Sequence, residues 1–483
     1  MRIVIIGGGF AGLKFTRKLN NKPNIEVTLI DKYNYHQFQP LFYQVATSSL
    51  DASNISFPLR KAFQKSKNVR IRLATVTDID TKNNCVKTDV GDFEYDVLVL
   101  ATGCDTNFFG NKQMQALSFP MKSTIEAVRL RNHLIQNFED ALIYNNNPEA
   151  LIPYMCIVIV GGGPTGVELS GAIAELRNKV LPKDYPELDF SMMKIYLVEG
   201  SPKTLGVMSE KSSEQSCKYL HELGVTVINN TVVKDFDGNK VTLSTGETIP
   251  SKTVIWAAGV KGNIPGGIDP SLIVRGNRIK VDRYNKVLGF NNVYAIGDVS
   301  SMETPKYPNG HPQVANVAIT QGKLLAKNLL ILSSDSKELL EEYEYHDKGS
   351  MATVGRNRAV VDIPQPKIHF GGFLAWFVWM SLHLYLIVGV KNRLQIFINW
   401  MYKYFTFDQN LRLIFRGLGL TDNPVLPQHQ VATVQQHLQT LIPDEKAGIP
   451  APQSNQNLTP PSAQVPPSNT APAPSSSRAV VQH

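Results

Sequence analysis

The chain opens with RIVIIGGGFAG at residues 2–12, and a second stretch of the same design, IVIVGGGPTG, lies at residues 157–166. The first glycine of such a fingerprint allows a sharp turn, the second lets the backbone approach a pyrophosphate, and the third lets the helix pack close to the strand. The phosphates lie at the helix N-terminus, where free N–H groups favour negative charge. The sequence therefore predicts two dinucleotide sites, with fingerprint glycines Gly7, Gly9 and Gly12, and Gly161, Gly163 and Gly166.

An acidic residue closes the second strand of each predicted unit. Asp31 follows the apolar run 25–30, and Glu199 follows the run 194–198. A carboxylate at this point accepts hydrogen bonds from a ribose 2′-hydroxyl and repels a 2′-phosphate, so NAD(H) is favoured over NADP(H). The alternative for either motif alone is a glycine-rich turn without a ligand. Two motifs, each with its strand and its acid, argue against that alternative.

Two further stretches end apolar strands in small residues, as a backbone that passes close to a cofactor requires. They are residues 95–100 before Ala101, Thr102 and Gly103, and residues 254–258 before Gly259. A separate stretch, residues 293–297, runs into Asp298. In the second unit the path from helix to strand is unusually long. We expect residues 181–186 there to form a surface insertion, which loops tolerate.

Length and composition restrict the class of protein. A chain of 483 residues exceeds a single core, so two or three domains are expected. The four cysteines, Cys85, Cys104, Cys156 and Cys217, show neither a C-x-x-C pair nor metal spacing. We therefore expect no metal site and no redox-active cysteine pair, and each cysteine should be a small buried residue. Cys104 stands out only because it follows a predicted cofactor turn.

The charge and the start of the chain bear on its location. The first predicted strand begins at residue 2, so no signal peptide is expected and the coenzyme sites should face the cytoplasm. The net charge of +8 allows attraction to acidic surfaces. No nucleic-acid-binding module accompanies that charge.

The composition changes after residue 345. The run from Phe370 to Val388 predicts an apolar helix that nearly reaches the ~20 residues needed to span a bilayer. An amphipathic helix pattern follows at residues 394–405. A third, short pattern places Leu411, Ile414, Phe415 and Leu418 on one face, with Arg412 and Arg416 beside it.

Basic and aromatic residues predict where these C-terminal helices lie. Five Lys or Arg and a single acid, Asp408, stand between Lys391 and Leu420, and Trp376, Trp379 and Trp400 accompany them. Such helices lie in the membrane interface, with cations toward anionic headgroups. An ordinary core or dimer interface and a single transmembrane span are the two alternatives. The last 40 or so residues, rich in Pro, Ser, Ala, Gln and Asn, are expected to be disordered.

The order of these motifs over residues 1 to about 330 resembles the two-dinucleotide-binding flavoprotein family. The resemblance implies an α/β fold with two Rossmann-like dinucleotide-binding domains, in which an NAD domain interrupts the FAD domain, plus a C-terminal helical membrane-associating region. The implied bounds are 1–115 and 281–345 for FAD, 155–280 for NAD(H), 346–422 for the membrane-associating region and 423–483 for a linker and tail. In the family, non-covalent FAD occupies the first fingerprint, and the acid matching Asp298 contacts its ribityl chain.

A narrower resemblance rests on HQFQPLFYQVAT at residues 36–47, on the double fingerprint and on the KNR stretch at 391–393. These are similar to type II NADH dehydrogenases, which are single-subunit, non-pumping NADH:quinone oxidoreductases of the respiratory chain. The resemblance implies NADH as substrate, hydride transfer to FAD, and two-electron reduction of a membrane quinone. It also implies a protein peripheral to the cytoplasmic face of the cell membrane, and it leaves a homodimer open.

The same resemblance suggests three catalytic residues. The glutamate matching Glu168 lies near the nicotinamide in the family and is linked to quinone reduction or substrate binding. Gln321 matches a family glutamine, whereas Asn316 stands where many relatives have the longer Gln. The bland alternatives are a first-turn helix acid for Glu168, and helix capping or solvent exposure for the other two.

Two other functions compete with this one. A sulfide:quinone oxidoreductase would need cysteines poised at the flavin and would not need the second fingerprint. A flavin- or NAD-binding sensor or interaction protein with vestigial activity is the alternative from another class.

Overall fold

Five parallel strands form the first sheet of the computed structural model, which describes residues 1–334 and 337–415. Their spatial order is Val293–Ala295, Val97–Leu100, Arg2–Ile6, Glu26–Asp31 and Val69–Leu73. The central strand is buried from Ile3 to Ile6, as a parallel sheet covered on both faces requires. The strand Val293–Ala295 comes from far along the chain, so this sheet is completed only after an intervening part of the chain.

The intervening part forms a second parallel sheet of five strands. Their spatial order is Phe119–Pro120, Thr253–Trp256, Cys156–Val160, Lys194–Val198 and Thr226–Ile228. The first sheet is thus interrupted by the second, and the predicted α/β class with two Rossmann-like units is confirmed.

A helix follows the first strand of each unit. Phe10–Leu19 begins after Gly9, and Pro164–Lys179 begins after Gly163 with its proline in the first turn. Proline suits that place because its fixed φ is helical and its missing N–H has no partner within the helix there. Glu168, Ala172 and Glu175 share one face of the second helix, since residues four and seven apart lie above one another.

The predicted surface insertion at residues 181–186 is partly wrong. Leu181–Asp184 is a short helix, and Leu181 and Tyr185 are buried. The Tyr185 ring contacts Phe138 and Phe190, and its hydroxyl donates to Glu139 at 2.8 Å. The polar and proline residues of the stretch suggested a loop, but its two large apolar side chains pack into the core.

The expectation of four buried cysteines is also wrong in part. All four are free thiols, but only Cys156 is buried, whereas Cys85, Cys104 and Cys217 are partly exposed. Among the residues that the structure describes, no cluster of His, Cys, Asp and Glu could hold a metal ion.

The C-terminal part begins with an antiparallel sheet rather than with a helix. Its strands are Ser350–Gly355, Arg358–Ile363 and Ile368–Gly371, and the helices Gly372–Leu386 and Val390–Thr406 follow. The predicted start of the apolar helix at Phe370 is therefore wrong, because Phe370 pairs with Val361 in the sheet. Helix Gly372–Leu386 has 15 residues. Within residues 1–334 and 337–415, no helix is long and apolar enough to cross a membrane.

The third predicted C-terminal helix does not form over its described residues. Leu411 to Phe415 are neither helix nor strand, while Arg416, Leu418 and the predicted tail lie outside the described residues.

The remaining elements connect and cover these sheets. The other strands are Tyr35–Gln37, Ser56–Pro58, Val76–Asp80, Cys85–Thr88, Gly91–Glu94, Cys104–Thr106, Val233–Phe236, Lys240–Leu243, Thr248–Pro250, Val260–Gly262, Ile273–Val274, Arg278–Val281 and Ser300–Met302. The other α-helices are Phe42–Ala46, Leu59–Ala62, Lys112–Leu117, Thr124–Ile143, Pro148–Leu151, Glu210–Glu222 and Ala315–Leu332.

Candidate functional site

Backbone crowding gives each glycine of the first fingerprint a distinct role. Gly7 has φ +107°, and a Cβ there would lie 2.3 Å from the Ala101 carbonyl oxygen. A Cβ on Gly12 would lie 1.9 Å from the Gly7 carbonyl oxygen. A Cβ on Gly9, by contrast, would have no atom of the described residues within 4 Å other than those of its chain neighbours and its own helix. The turn is therefore closed on the sheet side and open above the helix N-terminus, where an anion is favoured.

The second fingerprint repeats this arrangement. Gly161 also has φ +107°, and its Cβ would lie 2.6 Å from the Ala257 carbonyl group. A Cβ on Gly166 would lie 1.9 Å from the Gly161 carbonyl oxygen, whereas the space at Gly163 is free of other described atoms within 4 Å. The chain thus builds two cradles with the same open position.

The two strand-end acids hold the fingerprint turns. Asp31 accepts hydrogen bonds from the Gly8 N–H at 2.6 Å and the Tyr33 N–H at 2.7 Å. Burial raises the pKa of the Asp31 carboxyl, and these two amides act against that rise. Glu199 accepts from the Gly162 N–H at 2.5 Å in the same manner. The sequence suggested a ribose contact for both acids, but it did not suggest that each carboxylate also fixes its glycine turn.

A turn at the end of the first sheet carries Asp298. Gly297 has φ +75°, and its N–H donates to the Gln321 side-chain oxygen at 2.7 Å. Gln321 is only 1% exposed. The Gln321 side-chain oxygen therefore fixes the turn that orients Asp298, and Gln321 is a positioning residue.

Cys104 is brought to the same carboxylate. Its Sγ donates to Asp298 Oδ2 at 2.9 Å. Burial, followed by the charge of Asp298, raises the pKa of the thiol to about 12, so it remains protonated at neutral pH. Of the three residues before Cys104, Ala101 lies at the end of its strand. The Thr102 hydroxyl donates a hydrogen bond to the Asn263 carbonyl oxygen at 2.5 Å, and Gly103 adopts φ +68°.

His36 was named in a motif but given no role by sequence reasoning. It is buried, and its Nδ1 lies 3.0 Å from the Gly8 carbonyl oxygen. Burial lowers the pKa of His36 to about 4, so the ring is neutral at pH 7.

In the second unit, Gly259 follows strand Thr253–Trp256 and adopts φ +152° beside the ring of Phe109.

A separate cavity of about 70 Å³, which we call the aromatic cavity, lies between the second fingerprint helix and the C-terminal helices. Helix Pro164–Lys179, helix Phe42–Ala46, the first strand of the C-terminal sheet and both C-terminal helices contribute to its walls. Its lining residues are Tyr43, Gln44, Glu168, Ala172, Glu175, Thr353, Val354, Gly355, Arg356, Trp376, Trp379, Met380, Trp400, Lys403, Tyr404 and Phe407.

Glu168 is the buried carboxyl of this cavity. It is 9% exposed, and the Thr353 N–H lies 3.4 Å from its Oε1. Burial raises the pKa of Glu168 to about 8. The carboxyl therefore holds a proton over most of the neutral range and could give it to a bound molecule.

A polar chain crosses the aromatic cavity. The Trp400 indole N–H donates to the Gln44 side-chain oxygen at 2.7 Å, and the Gln44 amide donates to the Tyr43 hydroxyl at 2.8 Å. The sequence analysis predicted that Trp400 lies in the membrane interface, and it did not identify Tyr43 and Gln44 as site residues. Their signal was present only as part of the 36–47 stretch.

The structure separates the three predicted catalytic residues. Glu168 lines the aromatic cavity, whereas Asn316 and Gln321 are not among its lining residues. Asn316 lies partly exposed in the first turn of helix Ala315–Leu332. Both belong to the part of the first unit that carries Asp298.

Comparisons with known proteins find similar sequences over most of the chain. The family model described as "Pyridine nucleotide-disulphide oxidoreductase" matches residues 1–322, and that described as "NDH2 C-terminal domain" matches residues 347–407. The chain is 33% identical over 416 residues to "Type II NADH:quinone oxidoreductase Ndh" of Mycobacterium tuberculosis, covering 83% of this chain and 87% of that protein.

Two solved structures share the fold. NDH2 from Plasmodium falciparum, solved in complex with NADH, has a TM-score of 0.78 at 21% identity. The match covers 86% of this chain and 99% of that chain. The sulfide:quinone oxidoreductase from Aquifex aeolicus has a TM-score of 0.62 at 20% identity, covering 84% of this chain and 95% of its own.

Replacement of Glu168 by Gln should change how stability depends on pH. The carboxyl titrates near pH 4.5 when unfolded and near 8 when folded. Between these values the folded state binds the extra proton, so the contribution of Glu168 to stability falls as pH rises and is lowest above about 8. Relative to wild type, Glu168→Gln should therefore gain in free energy of unfolding from about pH 5 to 8, as measured by denaturant unfolding.

Glu187→Gln is the matched control, because Glu187 is an exposed carboxyl. A difference between Glu168→Gln and wild type that does not change with pH would contradict a buried, protonated Glu168.

Proposed function

The chain belongs to the type II NADH:quinone oxidoreductase family, and we propose that it performs the family reaction with the two cradles and the aromatic cavity described above. It is an oxidoreductase that takes electrons from NADH and delivers them through FAD to a quinone. The proposal extends this to the residues that do the work. It assigns FAD to residues 1–115 and 281–345, NADH to residues 155–280, and the quinone end to the region from residue 346.

One observation carries the proposal. Helix Pro164–Lys179 starts at the open position of the second cradle, and its Glu168, Ala172 and Glu175 line the aromatic cavity. A single rigid element therefore joins the proposed NADH site to a cavity built largely from the C-terminal helices. This is the arrangement expected of an enzyme that receives electrons from a nucleotide and releases them to an apolar acceptor.

The first cradle has the features that FAD requires. Gly7 and Gly12 leave no room for side chains, the space at Gly9 is open, and Asp31 lies at the strand end where a ribose would bind. We assign Ala101, Thr102 and Gly103 to the close passage beside the flavin, and Asp298 to its ribityl chain. Bound FAD accepts a hydride and passes electrons onward by its own chemistry, while the protein supplies position and surroundings.

The second cradle is assigned to NADH. Gly161, Gly163 and Gly166 would seat the pyrophosphate, Glu199 the ribose, and Gly259 the passage beside the nicotinamide. Positioning the two reactants is the main contribution here, because it removes the entropic cost of bringing them together.

The aromatic cavity is assigned to the quinone ring. An apolar cavity of about 150 Å³ can hold benzene, so a space of about 70 Å³ accepts a quinone only if lining side chains move. The rings of Trp379 and His383, whose centroids are 4.1 Å apart, are stacked on helix Gly372–Leu386, which forms one wall of the cavity. Glu168 holds the proton that a quinone oxygen needs. Gln321 is assigned to positioning Asp298. Asn316 does not line this cavity, so its predicted contact to the quinone is not part of this assignment.

The sulfide:quinone alternative is not favoured. That reaction needs cysteines close to the flavin. At the first cradle the described residues include Cys104, but its thiol donates a hydrogen bond to Asp298. The second cradle, which that reaction does not need, is complete. A sensor with vestigial activity would not need the aromatic cavity.

Exposed apolar side chains on the two C-terminal helices support binding to a lipid surface. Phe373, Leu374, Phe377, Leu382, Tyr385, Val390, Leu394, Ile398 and Phe405 are each more than 40% exposed. Exposed apolar side chains concentrated on two neighbouring helices are typical of membrane or protein interfaces. Because Lys391 and Arg393 accompany the patch, we assign it to an anionic bilayer surface. A second copy of the chain is the competing occupant.

An anaerobic absorbance spectrum of the purified protein tests the function. NADH should bleach the flavin band, and a short-chain quinone should restore it. Bleaching by sulfide but not by NADH would overturn the assignment. A purified protein without flavin absorbance would favour the sensor.

Two substitutions should separate the cradles. Glu199→Ala removes the carboxylate that fixes Gly162, and a hydrogen bond to a charged group contributes about 1.5–3 kcal/mol, so KM for NADH should rise about tenfold or more. Asp31→Ala should instead lower the FAD content per chain. Each variant is the control of the other, and loss of FAD from Glu199→Ala with an unchanged KM would contradict the assignment.

The membrane assignment predicts an effect of Phe373→Ser together with Phe377→Ser. The two rings are 56% and 49% exposed, and burying a Phe contributes about 1.5–3 kcal/mol. Binding of the variant to vesicles of phosphatidylcholine and phosphatidylglycerol, measured by sedimentation, should weaken about tenfold or more. Its turnover of a water-soluble quinone should be retained.

The matched control is Val207→Ser, since Val207 is 85% exposed and belongs to neither of these helices. Wild-type protein that dimerises and does not bind vesicles would assign the face to a second copy.

A further inference from the structure

The proposed reaction consumes one proton from water in each turnover. NADH + quinone + H⁺ gives NAD⁺ + quinol, because the hydride carries two electrons and one proton while the quinol gains two protons. The second proton must reach the aromatic cavity, whose walls are largely apolar. Tyr43, Glu168 and Glu175 line this cavity, and Glu175 also lines a neighbouring polar cleft.

Glu175 stands where the aromatic cavity meets this cleft, which we call the polar cleft. The two spaces share Glu175, Arg356, Lys403 and Phe407 as lining residues. The polar cleft is also lined by Asn178, Lys179, Glu222, Leu223, Asn357, Arg358 and Gln409, and its volume is about 700 Å³. The Glu175 side chain is 18% exposed, so water in the polar cleft can reach a carboxyl that also borders the aromatic cavity.

The carboxylate of Glu175 is held in place from two sides. The Arg356 backbone N–H donates to its Oε1 at 2.5 Å, and Lys403 Nζ lies 3.6 Å from its Oε2. The guanidinium of Arg356 is stacked on two rings, 4.0 Å from the Tyr404 centroid and 4.1 Å from that of Phe407. These contacts hold the Glu175 carboxylate where the two spaces meet.

Tyr43 supplies the step between Glu175 and Glu168. The two glutamates are seven residues apart on one helix, about 10 Å along its axis at ~1.5 Å per residue, which is too far for direct transfer. The Tyr43 ring is 6% exposed, and its hydroxyl accepts from Gln44, so its own O–H is available to donate. Tyr43, Glu168 and Glu175 all line the aromatic cavity, a space of about 70 Å³, so the phenol lies near both carboxyls. In agreement with this placement, burial and then the charges of Glu168 and Glu175 raise the pKa of Tyr43.

We propose that Glu175, Tyr43 and Glu168 form a proton relay from the polar cleft to the aromatic cavity. This inference rests on the proposed function. Glu168 first gives its proton to a quinone oxygen. The Tyr43 O–H proton then passes to the Glu168 carboxylate while the Tyr43 oxygen receives a proton from Glu175, which has taken it from water in the polar cleft. Each group ends the cycle in its starting state. The charged and titratable groups that face Glu175 are Arg356, Lys403, Tyr43 and, across the polar cleft, Lys179, Glu222 and Arg358.

The test measures the two half-reactions separately by stopped-flow absorbance of the flavin. In Glu175→Gln, the amide oxygen can still accept from Arg356, but the group cannot carry a proton. Bleaching by NADH should keep its wild-type rate. Reoxidation by a short-chain quinone should slow about a hundredfold or more, because general acid catalysis contributes about 10²–10⁴, and its solvent isotope effect should increase. Tyr43→Phe should show the same pattern.

Two further variants make the result specific. Glu175→Asp keeps a titratable carboxyl and should recover part of the reoxidation rate. Glu222→Gln removes a carboxylate that lines the polar cleft but not the aromatic cavity, and its reoxidation should match wild type. FAD content and the unfolding midpoint establish that each variant is folded.

The outcomes distinguish the relay from the function on which it rests. Wild-type reoxidation in Glu175→Gln, or equal slowing in Glu222→Gln, would overturn the relay and leave the function standing. A wild-type protein that NADH bleaches but quinone does not reoxidise would overturn both.

Discussion

The close approach of Gly171 to Val354 is the contact on which the rest of the site depends. A Cβ on Gly171 would lie 1.7 Å from the Val354 carbonyl oxygen, so the second fingerprint helix meets the C-terminal sheet backbone to backbone. A side chain there would force the two apart, and overpacking of this kind typically costs about 1–3 kcal/mol. Because the same helix carries Glu168 and Glu175, this one contact sets how closely the C-terminal sheet approaches the two glutamates across the aromatic cavity.

The sequence predicts what is decided locally. The glycines, the strands before them and the acids Asp31 and Glu199 form one continuous pattern, and the structure places all of them in two similar cradles. The aromatic cavity could not be predicted in this way. Tyr43, Glu168, Arg356 and Trp400 stand far apart in the chain, and only tertiary packing brings them together. No periodicity in one segment records such a contact.

The errors have physical causes of the same kind. Phe370 belongs to an apolar run that suits a strand or a helix equally, and its pairing with Val361 decides in favour of the strand. Leu181 and Tyr185 lie among turn-forming residues, yet burial against Phe138 and Phe190 overrides that local tendency. Gln321 matched a family position, but only the structure shows that its oxygen is bound to the Gly297 amide.

The interrupted first sheet has a consequence for the order in which the protein is made. Its strand Val293–Ala295 pairs with Val97–Leu100, roughly 200 residues earlier, and such distant pairings form slowly. The second sheet draws its strands from one continuous stretch, 119–256. During synthesis on the ribosome, the nucleotide unit in the middle of the chain can therefore fold while the first sheet still lacks its edge strand. We assigned Asp298 to the ribityl chain of FAD, and Asp298 arrives with that last strand, so the proposed flavin site is completed late in biogenesis.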